Sequence, residues 1–272
     1  MAAAHAPTPR LRFSANLSLL FRERSFLERF EVAARSGFDA VEFWWPDGED
    51  LSAVEAAVAD AAVQVVMMNF YAGDMAAGDR GLMTDPDRQD EFRSNIPVAL
   101  GLAGRLGCRQ LNALVGGRLE HLSRVDQLAL ARENLGRAAS EARTEGVCVL
   151  VEAVNTVDND AGYLISRTAD AVAFVESVAA ENVGLLYDLY HMQRMEGNPI
   201  ATLREYGGLI RHIHVADSPG RNEPGTGEIN YPFVLAAIAD SGYEGYVGLE
   251  YRPSTPATED SFGWLDGWRP VT

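Results

Sequence analysis

The sequence predicts an α/β protein with the (β/α)8 TIM barrel fold, formed as a single domain. Eight short apolar runs alternate with longer amphipathic segments along the chain, which is the order expected of a parallel sheet with helical crossovers. The length of 272 residues and the 47% content of hydrophobic residues suit one large barrel. The segment SANLSLLF in and after the first run lacks the glycine-rich turn of an open nucleotide-binding sheet.

The predicted strands are rich in Val, Ile, Leu or aromatic residues, as parallel strands buried on both faces should be. Each is separated from the next by enough chain to form a crossover. In order they are Leu11–Ser18, Ala40–Trp45, Gln64–Phe70, Gln110–Val115, Val147–Asn155, Val183–Tyr190, Ile210–Ala216 and Tyr246–Tyr251.

Helical patterns fill most of the intervals between these strands. Four of the helices are followed by a glycine, the residue that most often ends a helix; these are Gly37, Gly107, Gly146 and Gly242. The predicted helices are Phe26–Ser36, Leu51–Ala62, Glu91–Leu106, Val125–Thr144, Ala169–Ala179 and Phe233–Ala239.

The chain ends and the longest loop complete the predicted domain organisation. Residues 1–10 are expected to form a disordered extension without a secretory signal, and residues 11–272 to form the barrel. No apolar stretch reaches the length of a membrane-spanning helix. The loop at residues 71–88, YAGDMAAGDRGLMTDPDR, follows a strand, so we expect it to lie over the active face.

Composition excludes several classes of function. A net charge of -16 opposes binding to nucleic acid and to anionic membranes. All 23 basic residues are arginine, so mechanisms that form a Schiff base with lysine are excluded. Cys108 and Cys148 are the two cysteines; without a disulfide framework, they indicate a reducing cytoplasm.

Polar residues follow the last four apolar runs, where the chemistry of a barrel is placed. Buried carboxylates on adjacent strands would repel one another unless a cation lay between them. Oxygen ligands with one imidazole suit Mg²⁺ or Mn²⁺, with Co²⁺ as a further choice and Zn²⁺ less favoured. The predicted metal ligands are Glu152, Asp188, His214 and Glu250.

Two other polar residues, in or just after the seventh predicted strand, are expected to have structural roles. We expect His212 to point away from the barrel interior and to be satisfied by the backbone, on the argument that side chains alternate along a strand. Asp217 is expected to cap the following segment or to support the metal ligands.

Six segments of the chain resemble the hydroxypyruvate isomerase family, within the wider xylose-isomerase-like barrels. The resemblance extends over nearly the whole chain from Leu11, and the fourth and fifth segments are the most specific. The segments are LRFSANLSLLF, GFDAVEFWWP, AGDMAAGDRG, YDLYHMQRMEG, HIHVADSPGRNEPGTGEINY and VGLEYRP.

The resemblance implies roles for the residues at the strand ends. Glu152 and Glu250 would be the paired catalytic glutamates, and together with Asp188 and position 214 they would bind the metal. His191 would lie near the substrate oxygens. Position 214 is often Gln in similar hydroxypyruvate isomerases and is His here, as in ketose epimerases, so the choice of metal and the distinction between isomerase and epimerase stay open.

The expected reaction interconverts hydroxypyruvate and tartronate semialdehyde through an enediolate, with two glutamates transferring the proton. An arginine is needed for the substrate carboxylate, and Arg80, Arg221 and Arg252 are the candidates, with Arg221 favoured. Asn69 is added to the substrate-binding set with His191, Arg221 and Arg80.

Several alternatives remain at the level of sequence. Within the isomerases, they are a 2-oxo-tetronate isomerase and a ketose 3-epimerase. From other classes, they are a metal-dependent endonuclease, which the five histidines and the acidic charge oppose, and a non-catalytic binder of small molecules. The substrate is expected to be a small hydroxy-oxo-acid or a sugar, and the chain is compatible with a monomer or a homo-oligomer.

Overall fold

A computed structural model describes residues 11–158 and 162–268, in which eight parallel strands close into a barrel in sequence order. The fold class predicted from the sequence is therefore confirmed. The predicted extension at residues 1–10 lies outside the described residues. The strands are β1 (Arg12–Asn16), β2 (Ala40–Phe43), β3 (Gln64–Asn69), β4 (Gln110–Asn112), β5 (Cys148–Glu152), β6 (Val183–Asp188), β7 (Ile210–Val215) and β8 (Tyr246–Leu249).

Eight α-helices in the described chain connect the strands and surround the barrel. All four glycines predicted to end helices have positive φ angles, between 66° and 82°, which is the backbone conformation that a C-terminal glycine provides. The helices are α1 (Glu28–Arg35), α2 (Leu51–Ala61), α3 (Gln89–Leu106), α4 (Arg124–Thr144), α5 (Thr168–Val178), α6 (Leu189–Met195), α7 (Pro199–Tyr206) and α8 (Tyr231–Asp240).

The segment after β6 differs from the sequence prediction. The sixth strand was predicted to continue to Tyr190, but Asp188 ends it and acts as the N-cap of α6 by accepting hydrogen bonds from the backbone N–H groups of Tyr190 and His191. Helices α6 and α7 were not predicted. They contain seven and eight residues, which is too short for a clear helical period.

The inside of the barrel changes from apolar to polar along the strands. Met67, Leu150 and Leu186 form a small buried cluster inside the barrel, separate from the main core between sheet and helices. Side chains two residues apart lie on the same side of a strand. Glu152 and Asp188 therefore follow Leu150 and Leu186 on the inner side and face the carboxyl end of the barrel.

The two cysteines of the described chain do not form a disulfide. Cys108 is buried and Cys148 half-buried, and both thiols are free. Burial raises the pKa of the Cys108 thiol to about 12.

Across the two described ranges, no helix combines the length and apolar character needed to cross a bilayer.

Candidate active site at the carboxyl end of the barrel

Four buried side chains meet where β5, β6 and β8 end. Glu152 ends β5, Asp188 ends β6, His191 lies in the first turn of α6 and Glu250 directly follows β8. Each offers one potential ligand atom, and these four atoms lie within 4.8 Å of one another. The structure thus brings together three of the four predicted metal ligands, with His191 in the position that the sequence analysis gave to His214.

Asp188 combines a structural contact with a free ligand atom. Its Oδ1 accepts the hydrogen bonds that cap α6, at 2.7 Å from Tyr190 N and 3.2 Å from His191 N. Its Oδ2 has no hydrogen-bond partner among the described residues. Because Oδ1 is held by the helix, Oδ2 is fixed in the direction of the other carboxylates.

Hydrogen bonds also determine which nitrogen of His191 carries the proton. The backbone N–H of Asn155 donates to His191 Nδ1 at 3.3 Å, so Nδ1 is an acceptor and the proton of the neutral ring lies on Nε2. That nitrogen is 3.6 Å from Glu152 Oε1 and 3.5 Å from Asp188 Oδ2. Burial and the nearby Arg221 guanidinium hold the pKa of His191 well below its usual range, so the ring is neutral and presents an N–H donor.

The two glutamates are supported by different partners. Asn112, at the end of β4, donates from Nδ2 to Glu152 Oε2 at 3.0 Å. The Trp44 indole N–H donates to Glu250 Oε1 at 2.9 Å, and Arg221 Nη2 donates to Glu250 Oε2. Neither Asn112 nor Trp44 was identified from the sequence, since each residue type is unremarkable within an apolar run.

Because their surroundings differ, the three carboxylates of the cluster have different pKa values. Burial, together with the charges of Glu250 and Asp188, raises the pKa of Glu152 to about 8. Burial is likewise the main reason why the pKa of Asp188 is raised to about 6. For Glu250, burial is outweighed by Arg221 and His214, which hold its pKa well below the usual range.

His214 lies beside this cluster and contacts it through one nitrogen. Its Nδ1 is 3.5 Å from Glu250 Oε2, and its Nε2 is 2.7 Å from Glu42 Oε1, although off the direction of an ideal hydrogen bond. Burial would lower the pKa of His214, but the Glu42 and Glu250 carboxylates raise it well above its usual range.

The prediction for His212 was wrong. Its side chain is buried inside the barrel, with Nε2 2.7 Å from Glu42 Oε2. His212 and His214 are two residues apart and both belong to β7, so alternation places them on the same side of the strand. Glu42 was overlooked, although a single glutamate within the run AVEFWW is a signal for a buried functional carboxylate.

The predicted substrate-binding residues occupy different places. Arg221, in the loop after β7, has its guanidinium 5.3 Å from the centre of the Tyr190 ring and lies 3.7 Å from Asp188 Oδ2. Asn69 lines a cavity of about 200 Å³ with Trp44 and the start of the long loop. Arg80 Nη1 donates to the carbonyl oxygens of Met75 and Asp79 within that loop.

Arg252 and Asp217, which follow β8 and β7, do not belong to the cluster of four buried side chains. Arg252 has an exposed side chain, which does not favour a contact with substrate in the barrel. Asp217 accepts backbone N–H groups from Ser218, Gly225 and Ile229. It therefore organises the loop that carries Arg221, which agrees with the capping role expected for it.

The donor set fits a divalent cation. Three carboxylates crowd one buried site, and Asp188 Oδ2 and His214 Nδ1 are among the buried polar atoms there that lack a hydrogen-bond partner in the described part of the chain. Buried polar atoms are rarely left unpaired unless an ion or a ligand completes them. Oxygen donors with one imidazole nitrogen match Mg²⁺, Mn²⁺ and Co²⁺.

Comparison with known proteins shows that the chain is similar to enzymes named hydroxypyruvate isomerase and 2-oxo-tetronate isomerase. The model of the xylose isomerase-like TIM barrel family matches residues 30–268. The chain is 41% identical to hydroxypyruvate isomerase of Escherichia coli over 259 residues, covering 95% of this chain and 100% of that protein. It is 38% identical to 2-oxo-tetronate isomerase of Cupriavidus necator, covering 93% and 97%.

A solved structure with the same fold was also found. The crystal structure of AP endonuclease, family 2, from Brucella melitensis superposes on this chain with a TM-score of 0.90 and 38% sequence identity. The superposition covers 96% of this chain and 100% of that one.

Proposed function

This chain belongs to the xylose isomerase-like TIM barrel family, and within it to the hydroxypyruvate isomerase family, and we propose that it interconverts hydroxypyruvate and tartronate semialdehyde. The observation that carries the proposal is the convergence of Glu152 and Glu250, from β5 and β8, on one buried cluster. Two carboxylates that approach one site from different strands can remove a proton and return it to a neighbouring carbon.

We propose that Glu152, Asp188, His214 and Glu250 hold the divalent metal, Mg²⁺ or Mn²⁺ with Co²⁺ as a further choice. His191 is also close enough, but its Nε2 carries a proton, and a protonated nitrogen cannot be a ligand. His214 Nδ1, in contrast, has no hydrogen-bond partner in the described chain and lies 3.5 Å from Glu250 Oε2. Loss of the second ring proton in the metal-bound form would leave this nitrogen free to bind the ion. When bound, such a metal withdraws electron density from the substrate carbonyl and so acidifies the adjacent C–H group.

The proton transfers follow from the structure of the substrate. One glutamate takes a proton from C3 of hydroxypyruvate, which produces an enediolate; the other glutamate delivers a proton to C2, and the hydroxyl proton moves from O3 to O2. No atom is gained or lost, and the product is tartronate semialdehyde. We assign His191 Nε2–H to the substrate oxygens, because a neutral imidazole donor stabilises their developing charge.

Positive charge for the substrate carboxylate comes from Arg221 in this proposal. Its guanidinium is largely buried at the cluster and is supported by the Tyr190 ring. Arg80 and Asn69, which belong to the long loop and the end of β3, are assigned to the outer part of the substrate site.

The test is an NMR assay in D₂O with Mg²⁺, with hydroxypyruvate, 2-oxo-tetronates and free ketoses as substrates. We expect conversion of hydroxypyruvate to tartronate semialdehyde with deuterium at C2, and loss of the reaction in EDTA. Absence of conversion by metal-loaded protein would contradict the proposal. Glu181 is an exposed glutamate on the loop between α5 and β6. Glu181→Gln is therefore the control for glutamate-to-glutamine variants of the site, and it should convert hydroxypyruvate as wild type does.

A second candidate is a 2-oxo-tetronate isomerase, which the relative in Cupriavidus necator favours. Both reactions move a proton between adjacent carbons and use the same four ligands, so the ratio of kcat/KM for the two substrates distinguishes them. The net charge of -16 opposes an endonuclease, and a plasmid-nicking assay with added metal tests that activity directly.

A further inference from the structure

A second buried cluster of ionisable groups lies in the barrel beside the proposed catalytic glutamates. It consists of Glu42 on β2 and of His212 and His214 on β7, and all three side chains are at most 1% exposed. A fully buried carboxylate is costly unless its oxygens are paired. The contacts of Glu42 must therefore compensate for the cost of its burial.

Glu42 is held by donors on both oxygens. Ser14 Oγ donates to Oε2 at 2.8 Å, and Asn16 Nδ2 donates to Oε1 at 3.0 Å. His212 Nε2 is 2.7 Å from Oε2, and His214 Nε2 is 2.7 Å from Oε1. The carboxylate thus has two nitrogen or oxygen neighbours at each oxygen, and its orientation is determined by residues from two other strands.

Gly248 on β8 leaves the space that this carboxylate occupies. A Cβ atom at position 248 would lie 2.4 Å from Glu42 Oε2 and 2.5 Å from Oε1, far inside van der Waals contact. Any larger residue at position 248 would therefore push Glu42 away from the two histidines.

The contacts identify this cluster as a hydrogen-bonded group rather than a second metal site. Carboxylate oxygens bind transition metals at about 2.0–2.2 Å, and a bound cation would compete with the donors that Glu42 already accepts. The separation of 2.7 Å between His212 Nε2 and Glu42 Oε2 is that of a charge-assisted hydrogen bond, and His214 Nε2 lies at the same distance from Glu42 Oε1.

We propose that Glu42 is a positioning residue for His214, an inference that rests on the proposed function. The Glu42 carboxylate, with Oε1 2.7 Å from His214 Nε2, favours a proton on that nitrogen, so that in the metal-bound form Nδ1, 3.5 Å from Glu250 Oε2, would be the nitrogen that binds the ion. A neutral imidazole has one donor and one acceptor nitrogen, so fixing the donor also fixes the acceptor. Histidine ligands usually donate their other N–H group to a carboxylate or a carbonyl in this way.

His212 and Asn16 complete the arrangement. His212 holds the Glu42 oxygen that does not face His214, which prevents the carboxylate from rotating. Asn16 Nδ2 is 3.0 Å from Glu42 Oε1 and 3.5 Å from Glu250 Oε1, so it joins the positioning carboxylate to the proposed catalytic one.

Glu42→Gln tests the proposal in the full chain by isothermal titration with Mg²⁺. Loss of an outer carboxylate partner typically weakens metal binding by about 10- to 100-fold, and we expect a loss in that range. At saturating Mg²⁺ the KM for hydroxypyruvate should stay within about twofold of wild type, because Glu42 is not assigned to substrate. NMR of ¹⁵N-labelled histidine in the Mg²⁺ form should show the Nε2–H tautomer of His214 in wild type and its loss in the variant.

Gly248→Ala supplies a second variant, which keeps the carboxylate but displaces it, and should weaken Mg²⁺ binding in the same direction. Glu181→Gln is the matched control and should leave binding unchanged. Mg²⁺ affinity within twofold of wild type in both Glu42→Gln and Gly248→Ala would overturn the positioning role alone. Failure of wild-type protein to bind Mg²⁺ or Mn²⁺ would overturn both this inference and the metal in the proposed function.

Discussion

Replacement of Glu152 by Gln should make the metal-free protein more stable at high pH. Glu152 is buried beside two other carboxylates, and its pKa is raised from 4.5 to about 8. Between these two values, the unfolded chain gives up the Glu152 proton more readily than the folded protein does. Stability of the wild type therefore falls as pH rises through this window.

The magnitude follows from the size of the shift. At about 1.36 kcal/mol per pKa unit, the rise to about 8 corresponds to an upper limit of about 5 kcal/mol of unfolding free energy above pH 8. At pH 5 the same effect lowers the unfolding free energy of wild type by about 1 kcal/mol or less. A glutamine at position 152 is neutral at every pH and avoids this loss.

Thermal unfolding in EDTA at pH 5 and pH 9 measures the effect. For a chain of this size each kcal/mol shifts Tm by about 2–4 °C, so we expect the Glu152→Gln variant to gain on the order of 10 °C relative to wild type between the two pH values. Glu181→Gln, an exposed change, should show no such gain. An equal difference between Glu152→Gln and wild type at both pH values would refute the placement of Glu152 among ionised carboxylates.

Mg²⁺ at a hundredfold excess over Kd should narrow the Tm difference between Glu152→Gln and wild type at pH 9, since the metal would stabilise wild type by about 2.7 kcal/mol, and Tm measured with and without Mg²⁺ checks it. Glu250→Gln should lower kcat by about 10²- to 10⁴-fold with an unchanged circular dichroism spectrum; near-wild-type turnover would contradict its role in proton transfer. Arg221→Gln should raise the KM for hydroxypyruvate at least tenfold if its guanidinium binds the carboxylate, whereas an effect confined to Tm would assign it a structural role. The buried Cys108 thiol, whose pKa is raised to about 12, should react with a thiol reagent only after unfolding, and rapid labelling of native Cys148→Ser protein would contradict its burial.

The architecture could be read from the sequence because it depends on local pattern. Alternation of apolar runs with amphipathic helices determined the number and order of strands, and all eight predicted strands overlap the observed ones. The errors occurred where local signals are weak. Helices α6 and α7 have fewer than nine residues each, and the apolar residues after Asp188 look like a continuing strand until its side chain is seen to cap a helix.

The acidic residues at the strand ends were also determined by the sequence, because a carboxylate directly after an apolar run is conspicuous in any barrel. Glu152, Asp188 and Glu250 were found in this way, and the structure brings all three together. What these residues contact could not be read, since the partners come from remote parts of the chain. Asn16 and Glu250 are 234 positions apart, and they approach each other because β1 pairs with β8.

The roles of the histidines were decided by the tertiary structure alone. Nothing in the local sequence shows that the backbone N–H of Asn155 occupies Nδ1 of His191, or that Glu42, 170 positions away from His212, lies between His212 and His214. An imidazole can donate or accept at either nitrogen, and only its neighbours in space select one form. The sequence determined the fold and the carboxylates, and the closure of the barrel decided which nitrogen of each histidine faces them.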